Sequence, residues 1–588
     1  MLFLEGFIGK TFSPLAATLL FAFSSSVVVA VVLIPMLTLY TARPSVLDRV
    51  GERIIRPFLW IMELTRAGAL GLLRLALRQR VLTLLAVLGL FVFSLRGLAG
   101  QGMEMMPRMD GGNFFVTVRT PPGTSLEETM RRVREFEKLL LAEPSVVRVS
   151  GQAGFEAGMR TFTSGGIQNA TSGFLSVTLT DRTRRAEDLW TFMGRMRVAF
   201  ARIPGVSEFS VREQGNTAKA TTAAPIIVRL SGEDARVLYQ LGLEVRERLS
   251  RVDGIVEPRL SWHPDEEQHR LSLDRLRAGE LGVSATVLAG TLGTAVNGAR
   301  AGEFTRDRGT PDPILVSLAS SGEPTTEDLL DTPIPVRGGG TVPARTIVTS
   351  LATRDRGLYT REDLRPVLEV TASFQGRPLS QVVADVNARL ADLRLPADYE
   401  MSTGGENSDM KEARGQLVDA LLLALVGVYL ILVAQLRSWL YPVVIMFSIP
   451  LSLIGVSFAL QLGRMPISMP VLVGLVLLVG TVVNNAILLH EVYHLRQNEG
   501  VPRREALIEA VASRFRPIMM TSISTVVGMI PLAAEWALGA ERFSPLATAV
   551  MGGLSASTLL TLIFIPVLTD IVDSWRAPKP PAMGEKGI

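Results

Sequence analysis

Two kinds of hydrophobic pattern divide the chain. Long, nearly uninterrupted apolar runs occupy Phe12 to Tyr40, Val81 to Leu98, Leu417 to Leu436, Trp439 to Leu462, Ile467 to Leu489, Pro517 to Leu538 and Phe543 to Val572. A helix of about 20 apolar residues crosses the hydrocarbon layer of a membrane, so the pattern predicts spans in two groups, two early and five late. The first run is too long for a secretory signal peptide, and no small-residue cleavage site follows it. Arg96 interrupts the second run near one end, where its long side chain can reach the interface.

Between Gly100 and about Gly415 the pattern becomes one of short alternating strands and amphipathic helices punctuated by Gly and Pro. A strand at Phe114 to Arg119, a helix at Leu126 to Leu141 and a strand at Val146 to Val149 make one β-α-β unit. The strand Phe174 to Leu179, the helix Glu187 to Phe200 and the strand Val206 to Val211 make a second, in which IPGVSEFSV echoes EPSVVRV. The same order returns at Ile226 to Leu230, Ala235 to Leu249 and VDGIVEPRLSW. Its second half waits until Val367 to Thr371, Leu379 to Leu393 and Tyr399 to Ser402. Two split βαβ domains are therefore expected, the second interrupted from His263 to Arg356. The fold class is an α-helical polytopic membrane bundle of about seven helices with a large α+β region of ferredoxin-like subdomains and an inserted subdomain.

Charge sets the orientation. The stretch from Arg43 to Arg80 carries many more arginines than acids, and Arg437, Arg496, Arg503, Arg504, Arg514, Arg516, Arg576 and Lys579 thread to the same side, which the positive-inside rule makes cytoplasmic. The α+β region then lies outside, in the periplasm of a bacterial inner membrane. Val50, Ile54, Phe58, Ile61 and Leu64 form an apolar face at helical spacing that suits a helix lying along the membrane surface.

With 588 residues, 48% of them hydrophobic, the chain is too apolar for a purely soluble enzyme. A net charge of +4, with no basic stripe and interleaved aromatics, gives nucleic-acid binding no support. Cysteine is absent, which excludes disulfides, thiolate metal sites and cysteine nucleophiles. No GxxxxGK[ST] phosphate loop and no Ser/His/Asp hydrolase arrangement can be assembled. His490 and His494, four residues apart around Glu491, suggest a metal pair, but no third ligand joins them and an interfacial helix end accounts for them. Met103, Met105, Met106 and Met109 cluster beyond the second span, where thioethers can bind a soft cation or simply pack.

The order of two spans, a duplicated extracytoplasmic region with an insertion, and five spans resembles the C-terminal half of resistance-nodulation-division (RND) exporters. VGTVVNNAILLHEV, RFRPIMMTSISTVVGMIPLA and VMGGLSASTLLTLIFIPVL are similar to the family's tenth, eleventh and twelfth spans. QLRSWLYPVVIMFSIPLSLIG resembles the turn between the eighth and ninth, and FSPLAATLLFAFSSSVVVAVVLIPML the sixth. The resemblance implies a span in 1–40, a cytoplasmic amphipathic connector at 41–80, a span at 81–99 and a porter subdomain at 100–221. It further implies a second porter subdomain at 222–262 and 357–405, a docking subdomain at 263–356, five spans in 406–575 and a cytoplasmic tail at 576–588.

In the family an acidic pair on the fourth span takes up the driving protons, and no counterpart stands here, so a separately encoded N-terminal half, or a truncated reading frame, is expected. The resemblance assigns relay support to Asn485, Thr521 and Arg514, and to Asn484 where many members place a lysine. It brings Phe155, Met159 and Phe162, in a Gly-rich loop, to the substrate path. It implies a proton antiporter, powered by the proton motive force without a cofactor, that exports hydrophobic or amphipathic compounds (multidrug efflux) as a trimer with a periplasmic adaptor and an outer-membrane channel. The alternatives are a heavy-metal cation exporter and a nontransporting or secretion-accessory membrane protein.

Overall fold

The computed structural model describes residues 6–41, 46–154, 169–214, 224–264, 266–305, 311–316, 325–355 and 360–576. Among them, seven helices are long and apolar enough to cross a membrane: α1 (Gly9–Thr38), α2 (Arg80–Gly100), α3 (Glu406–Leu436), α4 (Tyr441–Leu462), α5 (Met469–Asn498), α6 (Arg503–Ala533) and α7 (Ser544–Trp575). A π-helical turn at Val29–Leu33 interrupts α1.

A close backbone crossing in the bundle is made by glycine. A Cβ built on Gly552 would meet the Gly455 carbonyl at 2.5 Å, and one on Gly455 would overlap the Gly552 carbonyl and the Ala556 methyl. Without a hydrophobic driving force between helices in lipid, such small-residue surfaces let backbones approach and gain dispersion contacts. Gly553 in turn makes room for Leu478 and Val456, so α7 is wedged between α4 and α5. Ser94 of α2 donates to the Leu453 carbonyl at 3.2 Å and accepts, through its own carbonyl, the Ser457 hydroxyl at 2.9 Å, which fastens α2 to α4.

The helix Val46–Arg78 packs on the bundle through its C-terminal part. Ile61 and Leu64 are exposed, while Met62, Leu73, Ala76 and Leu77 join Leu489, Tyr493, Leu507 and Phe515 in a buried cluster at the end of the bundle remote from the α+β region, here the distal end. Leu73, Ala76 and Leu77 share one helical face at i, i+3, i+4 spacing, and that face, rather than the longer apolar stripe before it, finds a partner within the chain. The side chains of Val50, Ile54 and Phe58 lie outside the described residues.

The α+β region contains two domains of one topology. Strands β1 (Asn113–Arg119), β2 (Val146–Ala153), β3 (Ser172–Leu179) and β4 (Glu208–Glu213) form an antiparallel sheet in the order β2-β3-β1-β4. Alternate β1 residues Phe114, Val116 and Val118 are buried against Phe136 and Leu140 of the helix Leu126–Leu141 and Phe192 and Phe200 of the helix Leu189–Phe200. The second of these helices starts at Leu189 and not Glu187, because the Asp188 carboxylate accepts the Thr191 backbone N–H at 2.7 Å as an N-cap.

In the second domain, β5 (Ile226–Ser231), β6 (Ile255–Leu260), β7 (Arg365–Phe374) and β8 (Glu400–Gly405) repeat this arrangement: β7 pairs with both β5 and β6, and β8 pairs with β5. The insertion between β6 and β7 is carried on an antiparallel stem, Glu266–Leu273 against Val348–Asp355, and has its own core of Val283, Leu288, Leu292, Ile334 and Ile347.

Two connections attach these domains to the bundle. β8 runs directly into α3 through Gly405, whose φ of 84° and contact with the Pro225 carbonyl, 2.6 Å from where a Cβ would stand, exclude larger residues. After α2, the chain at Gly102 to Met105 is strapped to the α4–α5 turn: Ile467 N donates to Gly102 O at 3.1 Å, Glu104 N to Ile467 O at 2.9 Å and Met469 N to Met105 O at 3.1 Å.

Gly552→Leu is expected to abolish assembly of the bundle, because overpacking costs about 1 to 3 kcal/mol even where side chains can yield and here the obstacle is backbone. Loss of monodisperse protein on size exclusion in detergent, with Gly528→Leu, where a Cβ meets nothing within 4 Å, as the tolerated control, checks this.

Candidate functional site

Polar groups gather at three levels of the bundle. At the domain-side end a cavity of about 730 Å³ opens between the first domain and the helix ends, lined by Glu104, Arg108, Trp190, Met465, Ser468 and Pro545 among others. Its charged walls are largely self-satisfied. Arg185 pairs with Asp110, both almost fully buried, and Arg182 meets Glu541 at 2.7 Å and Glu535 at 3.5 Å. Arg108 donates to the Phe374 carbonyl at 3.0 Å, and its guanidinium lies 4.6 Å from the Phe374 ring centre and 5.8 Å from that of Trp190. The Trp190 indole N–H donates to Glu213. Glu104 differs: it is 9% exposed, and its side chain makes no hydrogen bond or ion pair among the described residues. Burial pushes its carboxyl up to about 7, the Arg108 charge opposing and the Glu213 charge adding.

The middle level joins α5, α6 and α7. Asn485, 4% exposed, donates through Nδ2 to the Ser522 hydroxyl at 3.4 Å, and Ser522 and Thr558 share a hydrogen bond of 2.8 Å. Asn484 and Thr521 each precede one member of the Asn485–Ser522 contact by one residue. Because α5 and α6 run antiparallel, this offset of about 100° turns both side chains to the same side of the helix pair. Both are exposed there, and the Thr521 hydroxyl is spent on the Ile518 carbonyl of its own helix at 3.0 Å. Arg514, half-buried, lies two turns away on that face of α6.

The distal level is built on charge. Asp570 of α7 is fully buried and meets Arg503 at 2.7 Å, Arg80 at 2.8 Å and Arg504 at 3.7 Å, ion pairs without aligned N–H donors. One turn on, Asp573 accepts the Tyr441 hydroxyl at 2.8 Å and that of Tyr493. His490 packs inside the chain. It is 2% exposed, its ring 4.4 Å from those of Tyr441 and His494, in an aromatic cluster that the turn at Arg437 brings over α5.

Phe155, Met159 and Phe162 lie outside the described residues. Met105 is buried with Met410 and Met469, and Met103, Met106 and Met465 pack against the same cluster. Glu104, Trp190, Ser522, Thr558 and Asp570 escaped sequence reasoning. Glu104 stands among methionines that drew attention to sulfur, and Asp570 near the end of an apolar run long enough to absorb one acid.

A family model described as the AcrB/AcrD/AcrF family matches residues 1–573. The chain belongs to this family of RND permeases. It is 26% identical over 586 residues to the cobalt-zinc-cadmium resistance protein CzcA of Cupriavidus metallidurans, covering 96% of this chain and 53% of that one. It is also 26% identical over 609 residues to the multidrug resistance protein MdtC of Cronobacter sakazakii, covering 98% and 55%. The crystal structure of a heavy metal efflux pump shares the fold, with a TM-score of 0.76 at 24% identity over 97% of this chain and 56% of that one. The chain thus spans about half the length of the RND relatives it matches.

Asymmetric costs are expected at the distal ion cluster of this permease. Arg80→Leu with Arg503→Leu leaves a buried carboxylate facing only the more distant Arg504 and is expected to cost on the order of 3 to 5 kcal/mol. Asp570→Asn costs less, since the arginines are partly exposed and regain water. Thermal unfolding of the two variants in detergent checks the order.

Proposed function

We propose that this chain forms part of a proton-driven RND exporter that captures amphipathic organic compounds at the outer face of a bacterial inner membrane. The junction cavity carries the reading. It has the volume of a drug-sized pocket, it mixes Trp190, Met465 and proline surface with charged groups, and it stands where the spans meet the first α+β domain. The arginine-rich loops support placing the distal end in the cytoplasm and this cavity in the periplasm.

Coupling to protons is assigned to the open face of α5 and α6. Asn484 and Thr521 are polar, share a side and are uncovered by this chain, which suits hydrogen bonding to carboxylates carried by a neighbouring segment of the pump. Asn485 braces the face from behind through Ser522, and Arg514 supplies a positive charge nearer the cytoplasm. Assembly as a trimer with an adaptor and an outer-membrane channel is part of the proposal.

A second reading has one observation in its favour. The thioethers of Met105, Met410 and Met469, with Met103, Met106 and Met465 beside them, form a soft cluster near the cavity, and the resemblance to CzcA extends along the whole chain. Export of a thiophilic metal cation would use these sulfurs.

In the complete pump, Trp190→Ala is expected to lower efflux of a fluorescent amphiphile roughly tenfold, about 1.4 kcal/mol of lost binding. Wild-type efflux by this variant at equal membrane level, with silver efflux lost on Met105→Leu, would favour the metal reading. Thr521→Val is expected to reduce efflux driven by an imposed pH gradient several-fold while trimers still form. A wild-type rate across the working pH range would reduce Thr521 to a packing residue.

A further inference from the structure

We propose that the junction cavity selects lipophilic organic cations, with the Glu104 carboxylate as counter-charge. The proposal deepens the export reading and rests on it. The position of the carboxylate is fixed by the backbone, since Glu104 N is bonded to Ile467 O beside the Met103–Ile467 bridge. Its side chain is nine-tenths buried, lines the cavity and is unpaired among the described residues, whereas the other buried charges of the wall, Asp110, Arg185 and Glu541, have partners. Ser468, 1% exposed, adds a second orphan to the lining, a hydroxyl without a hydrogen-bond partner.

Two acids face Glu104 from other elements, Glu213 from β4 and Glu406 from the start of α3, and one base, Arg108, from its own segment. Arg108 is committed to the Phe374 carbonyl and to two aromatic rings, and Glu213 to Trp190. Arg464 and Met465 approach from the α4–α5 turn and Pro545 from α7. An unpaired carboxylate beside apolar surface, in a wall whose other buried charges are paired, rewards a cation that brings its own apolar surface.

The test is equilibrium binding of tetraphenylphosphonium, and of a neutral amphiphile of similar size, to the purified full chain at about pH 8. Glu104→Gln, near-isosteric, is expected to weaken cation binding about tenfold and keep neutral-probe binding, which also reports an intact cavity. Wild-type cation affinity in Glu104→Gln overturns the proposal and leaves the export reading standing. Binding of neither probe, or of both equally in Trp190→Ala, overturns the cavity as a substrate site and this proposal with it.

Discussion

The backbone contact between Gly455 and Gly552 is the constraint on which the membrane region depends. It places α7 in the middle of the bundle, against α4 on one side and α5 on the other. Only from there can Thr558 reach Ser522, and only from there does the lower half of α7 carry Asp570 into the span of Arg80, Arg503 and Arg504. A chain with larger residues at this crossing would push the helices apart and stretch those hydrogen bonds. Apolar packing therefore decides the position, and the polar contacts, individually worth about 1 kcal/mol, decide the register.

The α+β domains meet each other through charge. Glu208 of β4 receives Arg259 of β6 at 2.6 Å, and Arg197 reaches Glu257 at 2.7 Å, so the two copies of the repeat are joined along neighbouring strand edges. Burial alone would push the Glu208 carboxyl up, but His263, whose Nε2 stands 3.6 Å away, and the charge and hydrogen bond of Arg259 together bring it down to about 2. Glu257, which also accepts the Val211 backbone N–H, is held above the usual carboxylate range by its burial. An interface of this kind holds its pairing by geometry, since leaving either acid unpaired would expose a charge to a dry surface.

Much of this architecture was legible in the sequence because the periods are clean. Every second residue of β1 is apolar and buried, the helix from Leu126 opens on Ser125, which caps it, and the echo between the two halves appears in the same strand order in both domains. Where local pattern ran out, the missing quantity was the partner. The stripe through Ile61 and Leu64 is apolar at helical spacing, yet only packing decides that Leu73 and Leu77 are the ones covered. Asn484 and Asn485 are the same residue type side by side, and a rotation of 100° makes one a brace and the other an exposed group. Glu104 and Asp570 are single acids beside or inside apolar runs. Their surroundings come from chain segments hundreds of positions away, and local pattern carries no trace of them.

Helix α2 is held at both ends by different means. Its foot at Arg80 is tied to Asp570 by charge, and just above its head the chain is strapped to the α4–α5 turn and, through Met103 and Ser380, to the second α+β domain. Between these anchors it runs uninterrupted from Arg80 to Gly100, about 30 Å of helix without a proline. Such a rod resists bending far better than a loop, so it holds the distal ion cluster and the Gly102–Met105 strap at a fixed separation across the bundle.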